Sequence, residues 1–168
     1  MAKDQISQLV IAPEAPGDAD AALSLVERVF GPGRYAKSAE RLREGNQFLP
    51  QLSFVAREND AVVASVRLWP VRIGERAAVL LGPIAVDPAA QRRGLGAALT
   101  ERACEAAGAA GHDVVVLVGD LGFFERMGFQ RPPAGDITLP GPADPSRILV
   151  KPLKPGALEG LQGRLSLP

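Results

Sequence analysis

The segment Gln91-Arg92-Arg93-Gly94-Leu95-Gly96-Ala97-Ala98-Leu99-Thr100 holds the residues whose types and spacing point most directly to chemistry. It follows an apolar run, Val79 to Val86, that reads as a strand, and it opens an apolar-periodic run that reads as a helix. A strand that breaks into a glycine-rich turn and then a helix leaves the first backbone N–H groups of the helix unpaired, and such groups bind anions, phosphates above all. Gly94 and Gly96 remove the side chains that would hold a ligand off the backbone, while Arg92 and Arg93 add positive charge at the rim. The guest that fits this turn is a pyrophosphate.

Two familiar phosphate loops can be weighed against these residues. A mononucleotide loop needs Lys followed by Ser or Thr after its last glycine, and Ala97-Ala98 stand there instead. A dinucleotide turn needs a third glycine where Leu99 stands, and a parallel strand series where this chain has short hairpin turns. Asp120, after the next strand, imitates a ribose-binding acid, so the dinucleotide reading stays open. The other reactive side chains are sparse. One cysteine, Cys104, falls in mid-helix without a base beside it, which suits packing better than nucleophilic attack. His112, the single histidine, stands at the start of the strand Val114–Val118, at the end of the sheet away from the turn. One cysteine and one histidine supply no metal site.

The elements that must position these residues follow from periodicity. Leu9 to Ala12 is a short strand ended by Pro13, and Asp18 or Asp20 caps a helix carrying Ala22, Val26, Val29 and Phe30 on one face, stopped at Gly31-Pro32. Ser38 to Glu44 reads as a second, weaker helix. Strands follow at Ser53–Arg57, Ala61–Ile73 and Arg76–Val86, joined by turns too short for anything but antiparallel neighbours. Leu95, Leu99, Ala103, Ala106 and Ala110 then recur at helical spacing. Val114–Val118, reached through that helix, should lie parallel to Val79–Val86 in a right-handed crossover. A short helix from Leu121 to Met127, closed by Gly128, precedes a stretch holding eight of the fifteen prolines, with strands at Ile137–Leu139 and Arg147–Val150. This tail should complete the sheet and wrap over it. The reading is one α/β (α+β) domain over residues 1–168, with a mixed, mostly antiparallel central sheet flanked by helices, a core from about 9 to 150 and an extension at 151–168.

Bulk composition narrows the partners. Nineteen basic residues balance nineteen acidic ones, so no global field draws the chain to nucleic acid or an anionic membrane. The opening residues, Met-Ala-Lys-Asp-Gln, lack a signal-peptide core, and no apolar run approaches the ~20 residues that cross a bilayer. A cytoplasmic protein is expected.

Gln91-Arg92-Arg93-Gly94-Leu95-Gly96 resembles the Gln/Arg-x-x-Gly-x-Gly/Ala signature of GNAT-type N-acetyltransferases, in which backbone amides hold the pyrophosphate of acetyl-coenzyme A. Leu81-Gly82-Pro83-Ile84-Ala85-Val86-Asp87-Pro88 resembles that family's splayed fourth strand, and Gly119 to Phe129 resembles its closing motif. The ending, Pro155 to Gly163, is similar to the tail of a YhbS-like subgroup. The resemblance implies the GNAT fold, with a parallel strand pair splayed at the cofactor site. It implies acetyl-CoA as donor, a small-molecule or protein amine as acceptor, and, as is common in the family, a homodimer. The donor would be bound by Ile84, Ala85, Val86, Gln91, Arg92, Arg93, Gly94, Leu95, Gly96 and Ala97, with Phe123 and Phe124 packed on it. The N–H near Ile84 would polarise the thioester in an oxyanion arrangement, and the amine would attack directly, with no acyl-enzyme.

The family's usual acid is a Tyr four residues before the closing Gly-Phe, and here Phe124 occupies that place ahead of Gly128-Phe129. A thiol of pKa ~8.5 leaves as thiolate at pH 7 for only about 2 kcal/mol, so the loss is tolerable. It also admits a second reading, a non-catalytic acyl-CoA-binding or regulatory module. Freeing an alkylamine of pKa ~10.4 costs about 4.6 kcal/mol, and Asp120, at the sheet end nearest the thioester, is the candidate base, with helix capping as its other role. Arg67 and Trp69, on one face of the long strand, either shape the acceptor pocket or form a solvated Arg beside a partly buried Trp. Tyr35, the sole tyrosine, sits in the loop between the first two helices as a replacement acid or a surface turn residue.

Overall fold

The computed structural model describes residues 8–91 and 93–168; Arg92, one of the two arginines expected at the rim of the turn, lies outside the described residues, as do the first seven. Strands β1 (Leu9–Pro13), β2 (Phe54–Glu58), β3 (Ala61–Ile73) and β4 (Arg76–Val86) form an antiparallel meander. Asn59 and Asp60 take positive φ between β2 and β3, the conformation a two-residue hairpin requires. Helix α2 (Leu95–Ala109) then crosses to β5 (Val114–Val118), which lies parallel to β4, and β7 (Ile148–Pro152) adds antiparallel beyond β5. The sheet order is β1-β2-β3-β4-β5-β7. Helices α1 (Ala19–Phe30) and α3 (Leu121–Phe124) complete the frame, with β6 (Ile137–Thr138) pairing β8 (Gly163–Ser166).

Alternation along the strands divides the core between two faces. Val79, Leu81, Val115 and Leu117 pack on Leu95, Leu99 and Ala103 of α2. Leu80, Val114 and Val116 point the other way, against Leu42, Ile137, Leu139 and Leu161. The long central strand β3 serves both faces, with Ala64, Val66 and Leu68 toward α2 and Trp69, Val71 and Ile73 away from it.

Several boundaries and one element differ from the periodicity reading. Ser38–Leu42 is a 3-10 segment rather than an α-helix, and a second 3-10 segment, Pro32–Ala36, precedes it; Lys37 between them is extended, which prevents a continuous helix. The helix expected over Leu121–Met127 divides into α3 and a 3-10 turn at Glu125–Met127. Asp18 stands at the N-cap of α1 but makes no cap bond; its carboxylate takes Ala15 N–H at 2.8 Å and pairs with Arg57 of β2. The tail contributes β8, which periodicity did not show: Leu165 pairs with Ile73 and is fully buried, extending the edge of β3 that short β2 leaves open. The core boundary placed near 150 falls inside β7.

Arg67 and Trp69 do share a face, but the guanidinium is not solvated. Arg67 donates to Glu14 just beyond β1 by two bonds, Nε to Oε2 at 3.0 Å and Nη2 to Oε1 at 2.7 Å, and lies 3.9 Å over the Phe48 ring. The Glu14 side chain is 1% exposed and that of Arg67 17%, so the carboxylate leaves water only because it is forked to a guanidinium. Arg67→Met, leaving Glu14 buried without its partner, should cost about 3–5 kcal/mol in urea denaturation, and adding Glu14→Met should restore much of that loss. Cys104, buried on α2, has its thiol pushed up to about 11, chiefly by burial. Its thiolate at pH 8 is then about one part in a thousand, and alkylation of the native protein should run at least about a hundredfold slower than of the unfolded chain. Because the folded thiol titrates above the unfolded one, this group's contribution to stability is intact below about pH 8.5 and is lost as pH rises toward about 11.

Candidate functional site

β4 and β5 are in register over only Val79–Leu80 with Val115–Val116. Beyond that, β4 remains paired with β3 up to Val86, and β5 remains paired with β7 up to Val118, so the two strands part. Between Val66 and Leu68 of β3, one residue faces two on β4, Gly82 and Pro83, and this bulge bends β4 where the parting begins. Trp69 fixes the bend by donating its indole N–H to the Gly82 carbonyl at 2.6 Å.

The separation opens a cleft of about 500 Å³. Gly82, Pro83 and Ile84 of β4 form one wall, and Leu117 to Asp120 with Phe123 and Phe124 form the other. The glycine turn adjoins it on the α2 side. Gly94 takes φ +72 as the N-cap of α2, no side chain caps the helix, and no acid stands in its first turn, so the amides of Leu95, Gly96 and Ala97 are open to an anion. A β-carbon at Gly96 would lie 3.7 Å from Ile84 Cγ2, 3.8 Å from Val86 Cγ2 and 3.9 Å from Phe123 Cζ, so the turn and the cleft are continuous. Gln91 closes the turn, its amide donating to the Val86 carbonyl at 3.5 Å.

Not every residue expected at the donor site faces it. Arg93 pairs with Glu58 at the end of β2. Ala85 is fully buried against Leu25 and Val26 of α1 and does not line the cleft. Phe123 is exposed and lines the cleft, whereas Phe124 is buried, edge-on to Phe123 at 4.8 Å and to Phe129 at 5.6 Å. Gly119 makes room for that ring: a β-carbon there would stand 2.5 Å from Phe124 Cε2. Asp120 lies on the cleft with its carboxylate exposed and free of hydrogen bonds to the described residues, including any cap bond to α3. His112 sits after α2, its backbone N–H on the Ala107 carbonyl at 3.0 Å, and it does not line the cleft. Tyr35 is exposed, accepts a bond from Arg34 at 2.6 Å and does not line the cleft; Arg67 and Trp69 do not line it either.

The wall that sequence reasoning missed comes from the two 3-10 segments. Arg34, Glu40 and Arg43 converge there, with Glu40 Oε2 3.0 Å from Arg43 Nη1 and Oε1 3.6 Å from Arg34 Nη1. Their side chains are 11%, 9% and 14% exposed. Burial, the largest influence, lowers the pKa of Arg43 from its ordinary value, against the opposing pull of Glu40. The i,i+3 spacing of Glu40 and Arg43 was visible in the chain, but it reads equally as a solvated helix pair. A loop from Leu139 to Arg147 meets this wall through Ser38 Oγ, which donates to the Pro142 carbonyl at 2.5 Å.

Comparison with known proteins agrees with this geometry. Residues 50–131 match the acetyltransferase (GNAT) domain family. The chain is 31% identical over 158 residues to the uncharacterized N-acetyltransferase YhbS of Escherichia coli K12, covering 92% of this chain and 93% of that one. The crystal structure of YhbS from Escherichia coli in complex with CoA superposes with a TM-score of 0.82, covering 100% of this chain and 94% of that chain, at 27% identity over the structurally aligned residues. A GNAT family acetyltransferase from Brucella melitensis in complex with acetyl-CoA gives 0.70, at 27% identity and 96% of each chain.

Proposed function

The chain belongs to the GNAT acetyltransferase family, and on that premise we propose that it moves an acetyl group from acetyl-CoA to a primary amine by direct attack, without an acyl-enzyme. The enzyme class is N-acetyltransferase and the cofactor is acetyl-CoA. The observation that carries the reading is the continuity between the open amides after Gly94 and the cleft where β4 and β5 part. A pyrophosphate fits the first and an extended pantetheine chain, pairing as a strand would, fits the second. Acetyl-CoA supplies an acyl carbon activated by its thioester.

The rest is work for the chain's own residues. Leu95, Gly96 and Ala97 hold the phosphates through backbone N–H groups, and the backbone near Ile84, which has no strand partner on its β5 side, supplies the N–H that takes the developing oxyanion. Asp120 receives the proton from the amine, directly or through water, as the C–N bond forms and the C–S bond breaks. The sulfur leaves as thiolate and takes its proton from solvent, because Phe124 offers none. Cys104 supports direct attack: it is buried on α2 and is not among the residues lining the cleft. A cytoplasmic setting, in which a lone thiol stays reduced, belongs to the same proposal.

Phe124 is the specific observation behind a second reading, an acyl-CoA-binding module without catalysis. Incubating the protein with acetyl-CoA and a panel of amines, with free thiol followed colorimetrically, should show release with at least one amine; tight CoA binding without release for any amine would establish the second reading. Gly96→Phe should weaken CoA binding by calorimetry about a hundredfold or more, since its ring must displace either Ile84 and Phe123 or the ligand, whereas Gly96→Ala meets only ordinary contacts and should bind nearly as wild type. Asp120→Asn should lower kcat by roughly 10²–10⁴-fold at pH values below the amine's pKa while leaving CoA affinity nearly unchanged. An unaltered pH–rate profile in that variant would remove Asp120 as the base.

A further inference from the structure

The acceptor side of the cleft carries charge that neither the donor nor the transfer step uses. Arg34 and Arg43 share one buried carboxylate, Glu40, so the buried trio keeps one net positive charge; Arg34 Nη2 also donates to the Tyr35 hydroxyl at 2.6 Å and stands 4.0 Å from the exposed carboxylate of Glu27. Glu40 cannot satisfy both forks. Arg34 Nε and Arg43 Nε are buried and have no hydrogen-bond partner among the described residues. Buried donors of a charged group are expensive to leave unpaired; both atoms are covered by neighbouring groups, so an acceptor in the cleft meets them only as the guanidinium groups turn toward it. All three side chains line the cleft, and of its charged lining four are basic, with Lys37 and Arg147, against three acidic. Of those acids, Glu40 is committed to the arginines, and Asp144 is committed to the N–H and hydroxyl of Ser146.

The trio also lies at a useful place relative to the reacting centre. Leu42, beside Arg43, belongs to the core face turned away from α2, so the arginines lie across the sheet from the glycine turn. Arg43 Nη2 would stand only 2.9 Å from a β-carbon at Gly82; the absence of that carbon is what lets the guanidinium rest on β4. Gly82 precedes Ile84 by two residues across the bulge, a separation of at most about 6–7 Å. That is about the distance from a guanidinium nitrogen, through a hydrogen-bonded carboxylate, to the amine of an amino acid.

We propose that the acceptor is a small aminocarboxylate, an amino acid or a close relative, whose carboxylate is bound by Arg34 and Arg43 while its amine points at the acyl carbon beside Ile84. The inference rests on the transferase reading above. A forked guanidinium matches a carboxylate plane by two parallel bonds, and the same pair rejects an amide, which presents N–H groups where acceptors are required. The 3-10 geometry of Pro32–Ala36 and Ser38–Leu42 brings both arginines to one carboxylate, and the Ser38 bond to Pro142 joins this wall to the loop beside it.

The test compares alanine, serine, glutamate and lysine with their α-carboxamides, in the presence of saturating CoA, by thermal shift, and with acetyl-CoA by thiol release. At least one acid should raise the melting temperature more than its amide and should exceed it in kcat/KM by roughly 10- to 100-fold. Arg43→Gln should abolish this preference through KM, with the Kd for CoA unchanged. Arg34→Gln, which leaves the Glu40–Arg43 pair intact, should do the same if Arg43→Gln does not fold. Amides that bind or react as well as the acids, acids that neither bind nor react, or an acid preference retained in the folded variants would each overturn the proposal. Failure of CoA itself to raise the melting temperature would remove the transferase reading, and this inference with it.

Discussion

Two residue pairs of parallel register, and no more, are the constraint on which the site depends. Had β4 and β5 stayed paired to their ends, the sheet would be closed and the turn after Val86 would face only its own helix. Three local features keep them apart. The bulge at Gly82 and Pro83 bends β4, and Pro83 has no N–H to offer a ladder. Trp69 fastens the bent carbonyl from the neighbouring strand. β5 is meanwhile held along its whole length by β7, from Val114 to Val118, so it cannot follow β4.

The walls of the cleft are held by charge as much as by apolar burial. The chain before β2 is short of regular structure from Gly31 to Leu52, apart from brief 3-10 turns, and 3-10 geometry is weak on its own. Ion pairs hold it and its flanks: Asp18 to Arg57 and Glu14 to Arg67 tie the chain before α1 to β2 and β3, and within the segment Glu40 collects Arg34 and Arg43. Such pairs add little net stability over apolar packing, but removing one partner strands a charge, which is how polar groups in a core specify one arrangement over its neighbours.

What the chain disclosed on reading, and what it withheld, divides along physical lines. The turn at Gly94 to Ala97, the antiparallel meander and the crossover to β5 were legible because each rests on local chemistry: glycine at a positive-φ N-cap, short turns, and a period change from two to 3.6. The 3-10 character of Ser38–Leu42 was not legible, since the same residues satisfy a helical pattern over so short a span. Glu14, Glu40 and Arg43 were passed over because a charged residue in a sequence reads as solvated, and only tertiary contacts far along the chain reveal that it is not. β8 escaped for a similar reason. Gly-Arg-Leu-Ser is too short to show alternation, and its pairing with Arg72 and Ile73 is set by distant partners.

That late strand bears on how the protein is made. β3 presents thirteen residues of backbone to its neighbours; on one edge β2 covers Ala61 to Val66, Asn46, Leu49 and Ser53 bond to it at Leu68 and Pro70, and its end at Arg72 and Ile73 is covered by β8, which is synthesised far downstream. While the chain is still on the ribosome, the end of β3 has an open edge of the kind that pairs with other chains. Closure awaits a contact of large sequence separation, which forms slowly. The meander can therefore assemble during translation, while sealing of its central strand is postponed until Gly163–Ser166 have emerged, an interval in which a holding chaperone would find its client.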